Sequence, residues 1–143
     1  MADITKQKVV EQLKGAGVSP SEQRIAVFSF LHQNHIHPTA DTIYQRLSPD
    51  YPTLSKTTVY NTLKLLVAKC LIQVVAIEDG ELRFDVNTDF HAHFKCRECL
   101  EIIDLFDIPE LQCPMETQLI AESTQLNFYG ICDQCKGKQE EQS

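Results

Sequence analysis

The spacing of apolar residues in the first half of the chain predicts four amphipathic helices. Hydrophobic side chains recur at intervals of three and four residues, so each segment would turn one face towards a core. The first helix should end near Gly15 and Gly17, because glycine readily adopts the left-handed conformation that follows a helix. The expected N-caps of the other helices are Ser19, Thr39 and Ser55, whose hydroxyls can accept a bond from a free backbone amide. The residues expected to face inward are Val9, Val10, Leu13, Ile25, Phe28, Leu31, Ala40, Ile43, Tyr44, Leu47, Val59, Leu63, Leu66, Val67 and Cys70.

The pattern then changes from a helical period to the β-branched runs that are typical of strands. Such runs extend from Ile72 to Ile77 and from Leu82 to Val86, and Asp79-Gly80 between them favours a tight hairpin turn. A group of helices followed by a hairpin is the order of elements in a winged helix-turn-helix. We therefore predict a DNA-binding domain of this kind over residues 1–84.

The second half of the chain combines short strand-like segments with an acidic stretch. The residues from Pro109 to about Ser123 predict a helix. We interpret residues 85–136 as a small α/β dimerisation domain that begins near Asp85 to Thr88, and residues 137–143 as a disordered polar tail. The predicted fold class is therefore α+β. The predicted strands are Ala92–Lys95, Ile102–Leu105 and Leu126–Ile131.

Composition narrows the functional classes. A chain of 143 residues, 43% of them hydrophobic, has room for two small domains but is short for an enzyme with a deep cofactor cleft. It contains no apolar run of the roughly 18 residues that a membrane span needs, and its start lacks the features of a secretory signal. We therefore expect a cytosolic protein that does not bind membranes.

Charge is distributed unevenly along the chain. The net charge of −7 would by itself disfavour DNA, because phosphates attract cationic proteins. Residues 1–84 contain nine Lys and Arg against eight Asp and Glu, whereas residues 85–143 contain four against twelve. The acidity therefore belongs to the second half, and the first half remains compatible with DNA binding. The fourth helix has a polar, basic and aromatic outer face, for which an ordinary solvent-exposed surface is the alternative to a DNA contact. This face is formed by Lys56, Thr57, Thr58, Tyr60, Asn61 and Lys64.

Two C-x-x-C pairs are the most specific motif in the sequence. They are Cys96-x-x-Cys99 and Cys132-x-x-Cys135. Each pair can direct two thiolates at one ion, and together they supply the four soft ligands of a tetrahedral zinc. Such a site has no open coordination position, so we predict a structural role for it. A redox dithiol and plain surface thiols are the alternatives, but neither pair lies between a strand and a helix in the βαβ pattern that a redox motif would favour.

The other two cysteines lie outside these motifs. Cys70 falls on the apolar face of the fourth helix, and Cys113 lies near the start of the acidic helix. Free cysteine behaves as a small hydrophobic residue, so we interpret both as buried or bystander thiols.

A pair of histidines precedes the first C-x-x-C motif. In a strand, His91 and His93 would lie on one face and form a chelating pair, although exposed histidines without a ligand role are the alternative. Carboxylates nearby could complete a site of imidazole and carboxylate ligands, which suits iron(II), manganese(II) or zinc(II) rather than calcium. The spacing alone does not choose among the candidates Asp85, Asp89, Asp104 and Asp107.

Five motifs, taken in order, resemble those of the ferric uptake regulator superfamily. The resemblance extends from about residue 8 to residue 136 and implies a dimeric, metal-sensing DNA-binding repressor rather than an enzyme. The motifs are His37-Pro38-Thr39-Ala40-Asp41, Thr58-Val59-Tyr60-Asn61-Thr62-Leu63, Arg83-Phe84-Asp85, His91-x-His93-x-x-Cys96-x-x-Cys99 and Cys132-x-x-Cys135.

The resemblance also implies two metal sites with separate roles. The four paired cysteines, Cys96, Cys99, Cys132 and Cys135, look like a structural zinc site. A regulatory site would bind exchangeable iron(II) or manganese(II), and one of its ligands would come from the DNA-binding half of the chain. The positions that match its ligands are His37, Asp85, His91, His93 and Asp104.

Two positions make the chain more similar to the peroxide-sensing branch than to iron-uptake repressors. Asp85 and Asn61 stand where iron-uptake members usually carry Glu and Arg. The chain also differs from members with an additional metal site, because Phe90 and Ala92 occupy positions where those proteins supply ligands. We therefore expect one exchangeable site per subunit.

The function implied by the resemblance is repression of peroxide-defence and metal-homeostasis genes. A homodimer would bind an inverted-repeat DNA operator, with Tyr60 and Asn61 at base edges and Lys56 and Lys64 at phosphates. Peroxide, the only small-molecule signal, would cause oxidation of His37 and His91 and release of the DNA. The alternatives are an iron-responsive uptake repressor, then a zinc-uptake repressor and, from another class, a dithiol oxidoreductase.

Overall fold

The computed structural model of the protein describes residues 5–109, 111 and 119–142. It divides into two compact units, residues 1–88 and residues 89–143. None of the helices in the described ranges combines the length and the apolar character of a membrane span.

Four helices form the first part of the N-terminal unit, as the apolar period predicts. Thr39 caps the third helix by accepting a hydrogen bond from the amide of Thr42 at 3.2 Å, and Ser55 caps the fourth through the amide of Thr58 at 3.1 Å. Both predicted N-caps are therefore confirmed. The helices are α1 (Lys6–Gly15), α2 (Glu22–Gln33), α3 (Ala40–Leu47) and α4 (Lys56–Ala68).

The start of α2 differs from the prediction by two residues. The N-cap is Ser21, whose hydroxyl accepts from the amide of Arg24 at 3.2 Å, and not Ser19. The backbone carbonyl of Ser19 instead accepts from the guanidinium of Arg24 at 2.8 Å. Both serines carry a capping hydroxyl, but only the one directly before the first helical residue can reach the third amide of the helix.

Cys70 is exposed, so the prediction that it faces inward is wrong. Helix α4 ends at Ala68, and Cys70 follows with a left-handed φ of 59°. The amides of Cys70 and Leu71 donate to the carbonyls of Val67 and Leu66, each at 3.0 Å, which closes the helix end. The helical period no longer applies past that end, and the chain turns the thiol outward.

The hairpin of the N-terminal unit packs beside the loop that precedes α3. Strands β1 (Gln73–Glu78) and β2 (Glu81–Asp85) are antiparallel, and Gly80 in the turn has a φ of 76° that glycine adopts without strain. The amide of Phe84 donates to the carbonyl of Pro38 at 3.0 Å. The predicted winged helix-turn-helix is confirmed, and its core is a cluster formed by Val9, Leu13, Val18, Val27, Phe28, Phe30, Leu31, Ala40, Ile43, Leu54, Val59, Leu63, Leu66, Ile72 and Phe84.

A three-stranded sheet in the order β4-β3-β5 organises the C-terminal unit. Strand β3 (Ala92–Cys96) pairs with β4 (Ile102–Leu105) in antiparallel fashion and with β5 (Asn127–Gly130) in parallel fashion. All three predicted strands are present. Together with the helical N-terminal unit, this sheet gives the predicted α+β class.

The structure differs from the sequence-based predictions of an acidic helix and of a disordered tail in the C-terminal unit. Residues 110 and 112–118 of the predicted acidic helix, including Cys113, lie outside the described residues, and residues 119–123 are not helical. The predicted polar tail forms most of helix α5 (Asp133–Gln142). The helix begins directly after Cys132, and the amide of Lys136 donates to the carbonyl of Cys132 at 2.9 Å. This first helical turn can nucleate the helix, so that the polar residues after it continue the helix.

Candidate metal centres and DNA-binding helix

Four cysteine side chains of the C-terminal unit converge. The two pairs come from the end of β3 with its following turn and from the start of α5. The sulfur atoms of Cys96, Cys99, Cys132 and Cys135 all lie within 4.8 Å of one another, and those of Cys99 and Cys132 are 3.8 Å apart. Sulfur ligands at about 2.3 Å from a tetrahedral zinc are about 3.8 Å from one another. The cluster therefore has the dimensions of a zinc site.

Backbone geometry holds the first pair in its turn. The amide of Leu100 donates to the carbonyl of Cys96 at 3.0 Å, and Leu100 has a left-handed φ of 65°. The amide of Arg97 donates to the carbonyl of Gly130 at 2.8 Å, which fastens the turn to the end of β5. The amide of Cys132 donates a hydrogen bond to the sulfur of Cys96 at 3.4 Å. The main chain thus fixes the first pair and connects it to Cys132.

The surroundings of Cys96 and Cys135 shift the pKa values of their thiols in opposite directions. Backbone amides of Cys132 and Cys99 donate to Cys96 and lower its pKa to about 6. Hydrogen bonding to Cys132 and burial raise the pKa of Cys135 to about 12. Amide donors therefore stabilise a thiolate at Cys96. The convergence of four sulfur atoms, rather than two, suits a divalent metal better than a free redox dithiol.

A histidine and an aspartate form a buried pair in the N-terminal unit. His37 Nε2 lies 3.5 Å from Asp85 Oδ2, and the two side chains are only 5% and 7% exposed. The other carboxylate oxygen of Asp85 accepts from the amide of Asn87 at 2.9 Å. His37 lies in the loop before α3, as expected, and has a φ of 53°.

Two histidines and an aspartate form a second group in the C-terminal unit. Asp104 Oδ1 lies 3.4 Å from His91 Nε2 and 3.3 Å from His93 Nε2. Asp104 faces His93 directly in the register of β3 and β4. The carbonyl of Asp89 lies 2.8 Å from His91 Nδ1, which leaves Nε2 to turn towards the carboxylate. Asp104, one of the carboxylates that spacing left open, lies beside both imidazoles.

Helix α4 presents an exposed polar face, as predicted. Thr57, Tyr60, Asn61 and Lys64 are exposed on it, and Tyr60 retains 48% of its accessible surface. Thr58 is half-buried and shares a 2.9 Å hydrogen bond with the capping hydroxyl of Ser55. The remaining candidate, Lys56, is exposed and lies 3.3 Å from Asp41. The outer face is therefore available at four of the six positions, while the other two have intramolecular partners.

Sequence reasoning missed the residues that orient the histidines. The guanidinium of Arg83 donates a hydrogen bond to the backbone carbonyl of His37 at 3.0 Å. The ring of Phe106 stacks on the ring of His91, with 5.1 Å between their centroids. Arg83 had entered only as part of a family motif. Neither side chain is a metal ligand, so the pattern of ligand-type residues in the sequence does not indicate either of them.

A winged helix with thiolate, imidazole and carboxylate donors defines a class of metal-dependent transcription regulators. The profile of the ferric uptake regulator family matches residues 15–129. The peroxide-responsive repressor PerR of Staphylococcus aureus is 35% identical to this chain over 140 residues, which cover 92% of each protein. The chain belongs to the ferric uptake regulator family, whose members are metal-dependent transcriptional regulators and not enzymes.

Solved structures agree with this assignment. The ferric uptake regulator of Helicobacter pylori has the same fold, with a TM-score of 0.69 and 21% identity, covering 95% of this chain and 97% of that one. The structure of PerR from Streptococcus pyogenes, a protein described as sensing peroxide and regulating genes, matches with a TM-score of 0.53 and 28% identity. That match covers 91% of this chain and 92% of the other.

Proposed function

We propose that the protein is a homodimeric repressor that senses hydrogen peroxide through the oxidation of histidine ligands of a bound metal. The observation that carries this proposal is a set of imidazole and carboxylate side chains, four of them buried and Asp104 partly exposed, that is separate from the cysteine cluster. The paired cysteines suit a closed zinc site, and the exposed Cys70 lies outside both groups of candidate ligands, so we assign the reaction with peroxide to the imidazoles. The similarity to PerR of Staphylococcus aureus supports the choice of signal.

The two groups of donors would bind one exchangeable iron(II) or manganese(II) ion. Neither the pair in the N-terminal unit nor the trio in the C-terminal unit alone supplies the five or six ligands that these ions commonly take. Together they offer three imidazoles and two carboxylates, which is a set that suits both ions. We assign His37, Asp85, His91, His93 and Asp104 as the ligands, and Cys96, Cys99, Cys132 and Cys135 as the ligands of structural zinc.

In this proposal, hydrogen peroxide oxidises imidazole rings of the protein itself. Iron(II), if held by these residues, would supply one-electron chemistry that breaks the O–O bond of hydrogen peroxide, and the electron it gives would be recovered from the oxidised imidazole ring. The net reaction transfers one oxygen atom from hydrogen peroxide to the ring of His37 or His91 and releases one water molecule. An oxidised imidazole is a poorer ligand, so the connection that the metal makes between the donor groups is lost. Manganese(II) would occupy the same site without promoting this oxidation.

DNA release would follow because the spacing of two recognition helices decides operator binding. A dimer reads an inverted repeat only when its two helices match the distance between half-sites. Helix α4 would enter the major groove with Tyr60 and Asn61 at base edges and Lys64 at a phosphate. Lys56 would exchange Asp41 for a phosphate, and Thr57 and Thr58 complete the contact surface. The repressor would act in the cytoplasm, where the operator lies.

Peptide mass spectrometry combined with operator binding tests this function. Iron-loaded and manganese-loaded proteins are exposed briefly to peroxide, and DNA binding and peptide masses are measured on the same samples. We expect the iron-loaded protein to release DNA with one oxygen added to the His37 or His91 peptide, and the manganese-loaded protein to stay bound. Release with unmodified histidines and oxidised cysteines would contradict the proposal. Release on iron removal alone, with no response to peroxide, would instead identify an iron-responsive repressor.

A further inference from the structure

The backbone of His37 adopts a conformation that needs support. Its φ of 53° lies in the left-handed region, which a residue with a Cβ atom rarely occupies unless its surroundings impose it. The imidazole is buried beside Asp85, so the backbone conformation determines where Nε2 lies. A loop residue of this kind would relax to a more common conformation if its neighbours released it.

Arg83 is the side chain that holds this backbone. Its guanidinium donates to the carbonyl of His37 at 3.0 Å and, through Nε, to the carboxylate of Glu78. Both Arg83 and Glu78 are partly buried, with side-chain exposures of 25% and 19%. The rigid fork of a guanidinium can satisfy two acceptors at once, which the single nitrogen of lysine does less well. Glu78 therefore orients Arg83, and Arg83 fixes the carbonyl.

Strand β2 also pairs with the loop through its backbone. In the isolated antiparallel β-bridge between Thr39 and Arg83, the amide of Phe84 donates to the carbonyl of Pro38 at 3.0 Å. Arg83 and Asp85 are two residues apart, so they lie on the same face of the strand. The strand thus directs one side chain at the carbonyl of His37 and the other at its imidazole.

We propose that Arg83, oriented by Glu78, is a positioning residue that keeps His37 in its ligand conformation. This inference rests on the proposed function, in which His37 binds the regulatory metal. Arg83 does not touch the ion. It acts by removing the freedom of the loop, so that the imidazole is in place before the metal arrives. Groups that only orient a metal ligand typically contribute about 10- to 100-fold to metal affinity.

Manganese(II) affinity, measured for the full chain with its zinc intact, tests the inference. We expect Arg83→Gln to weaken manganese binding about 10-fold or more and Arg83→Lys and Glu78→Gln to weaken it less. The control is Arg46→Gln, which removes an exposed arginine of α3 and should leave the affinity unchanged. Visible absorption of cobalt(II) in the same site gives a second readout, because a displaced imidazole changes the ligand field whereas a general loss of stability does not.

The double variant His37→Ala/Arg83→Gln separates positioning from other roles. We expect it to bind manganese no more weakly than His37→Ala alone, because Arg83 acts only through His37. Normal affinity and a normal cobalt spectrum in Arg83→Gln would overturn the inference, and so would additive losses in the double variant. Should Arg83→Gln fail to fold, Glu78→Gln decides by the same criteria. Unchanged manganese binding in His37→Ala would overturn the ligand assignment itself, whereas a loss there with normal Arg83→Gln overturns only the role of Arg83.

Discussion

The imidazoles of His91 and His93 meet at a single carboxylate oxygen, although only His93 lies in strand β3. Their ring centroids are 4.5 Å apart, and both Nε2 atoms lie within 3.4 Å of Asp104 Oδ1. His91 precedes the strand and is turned by its contact with the carbonyl of Asp89. The chelating arrangement therefore depends on a local backbone contact as well as on strand alternation.

Replacing Cys96 by serine should remove zinc and destabilise the C-terminal unit. Cys96 is fully buried and belongs to the four-sulfur cluster, and serine lacks the thiolate that zinc needs. Structural zinc contributes on the order of 10 kcal/mol of binding free energy, which is comparable to the stability of a whole domain. Zinc content and thermal melting are the measurements. Cys70→Ser is the control, because its thiol is exposed and should affect neither quantity. A zinc-loaded Cys96→Ser protein with normal melting would contradict the structural role.

The variant His37→Ala should lose metal-dependent operator binding while it stays folded. It removes a ligand outright, so we expect the manganese concentration needed for DNA binding to rise at least about 10-fold. His35→Ala provides a matched control, since His35 lies in the same loop but is exposed. The measurement is DNA affinity across a manganese titration. Equal titrations for the two variants would remove His37 from the metal site.

Substitutions on helix α4 should separate base recognition from phosphate binding. Lys64→Gln removes a charge from the exposed face and should reduce the salt dependence of operator binding by about 0.9 in logarithmic slope per subunit. Tyr60→Ala should instead reduce the preference for operator over unrelated DNA, since it removes a proposed base contact. Binding assays at several salt concentrations with both DNAs make the distinction. Manganese affinity should not change in either variant. A uniform salt-independent loss in Lys64→Gln would contradict the phosphate contact.

The N-terminal unit should lose stability as the pH falls below about 6.5. Burial, helped by the nearby His35, lowers the pKa of His32, which packs on Phe28 with ring centroids 4.6 Å apart. The unfolded chain therefore binds a proton at a higher pH than the folded one, so protonation favours unfolding. Chemical denaturation at about pH 5.5 and about pH 7.5 should show a smaller pH effect for His32→Gln than for the unaltered chain. An identical pH effect in the two proteins would show that His32 does not contribute.

The sequence by itself determined the features that depend on neighbouring residues. The helical period, the N-caps Thr39 and Ser55, the Asp79-Gly80 turn and the C-x-x-C pairs are local patterns, and the structure contains each of them. Where two residues could serve the same local purpose, as Ser19 and Ser21 can at the start of α2, the pattern did not choose between them. Family resemblance supplied what spacing could not, including the assignment of His37 as a ligand.

Only the tertiary structure decided which distant groups meet. Asp104 rather than Asp107 lies at the two imidazoles because the register of β3 and β4 sets it opposite His93. Arg83 reaches the carbonyl of His37, 46 positions earlier in the chain, because the hairpin packs beside the loop before α3. Cys70 faces outward because α4 ends two residues before it. Each of these outcomes depends on strand register, on packing or on the residue where a helix ends. The hydrophobic period of the sequence does not specify any of these three features.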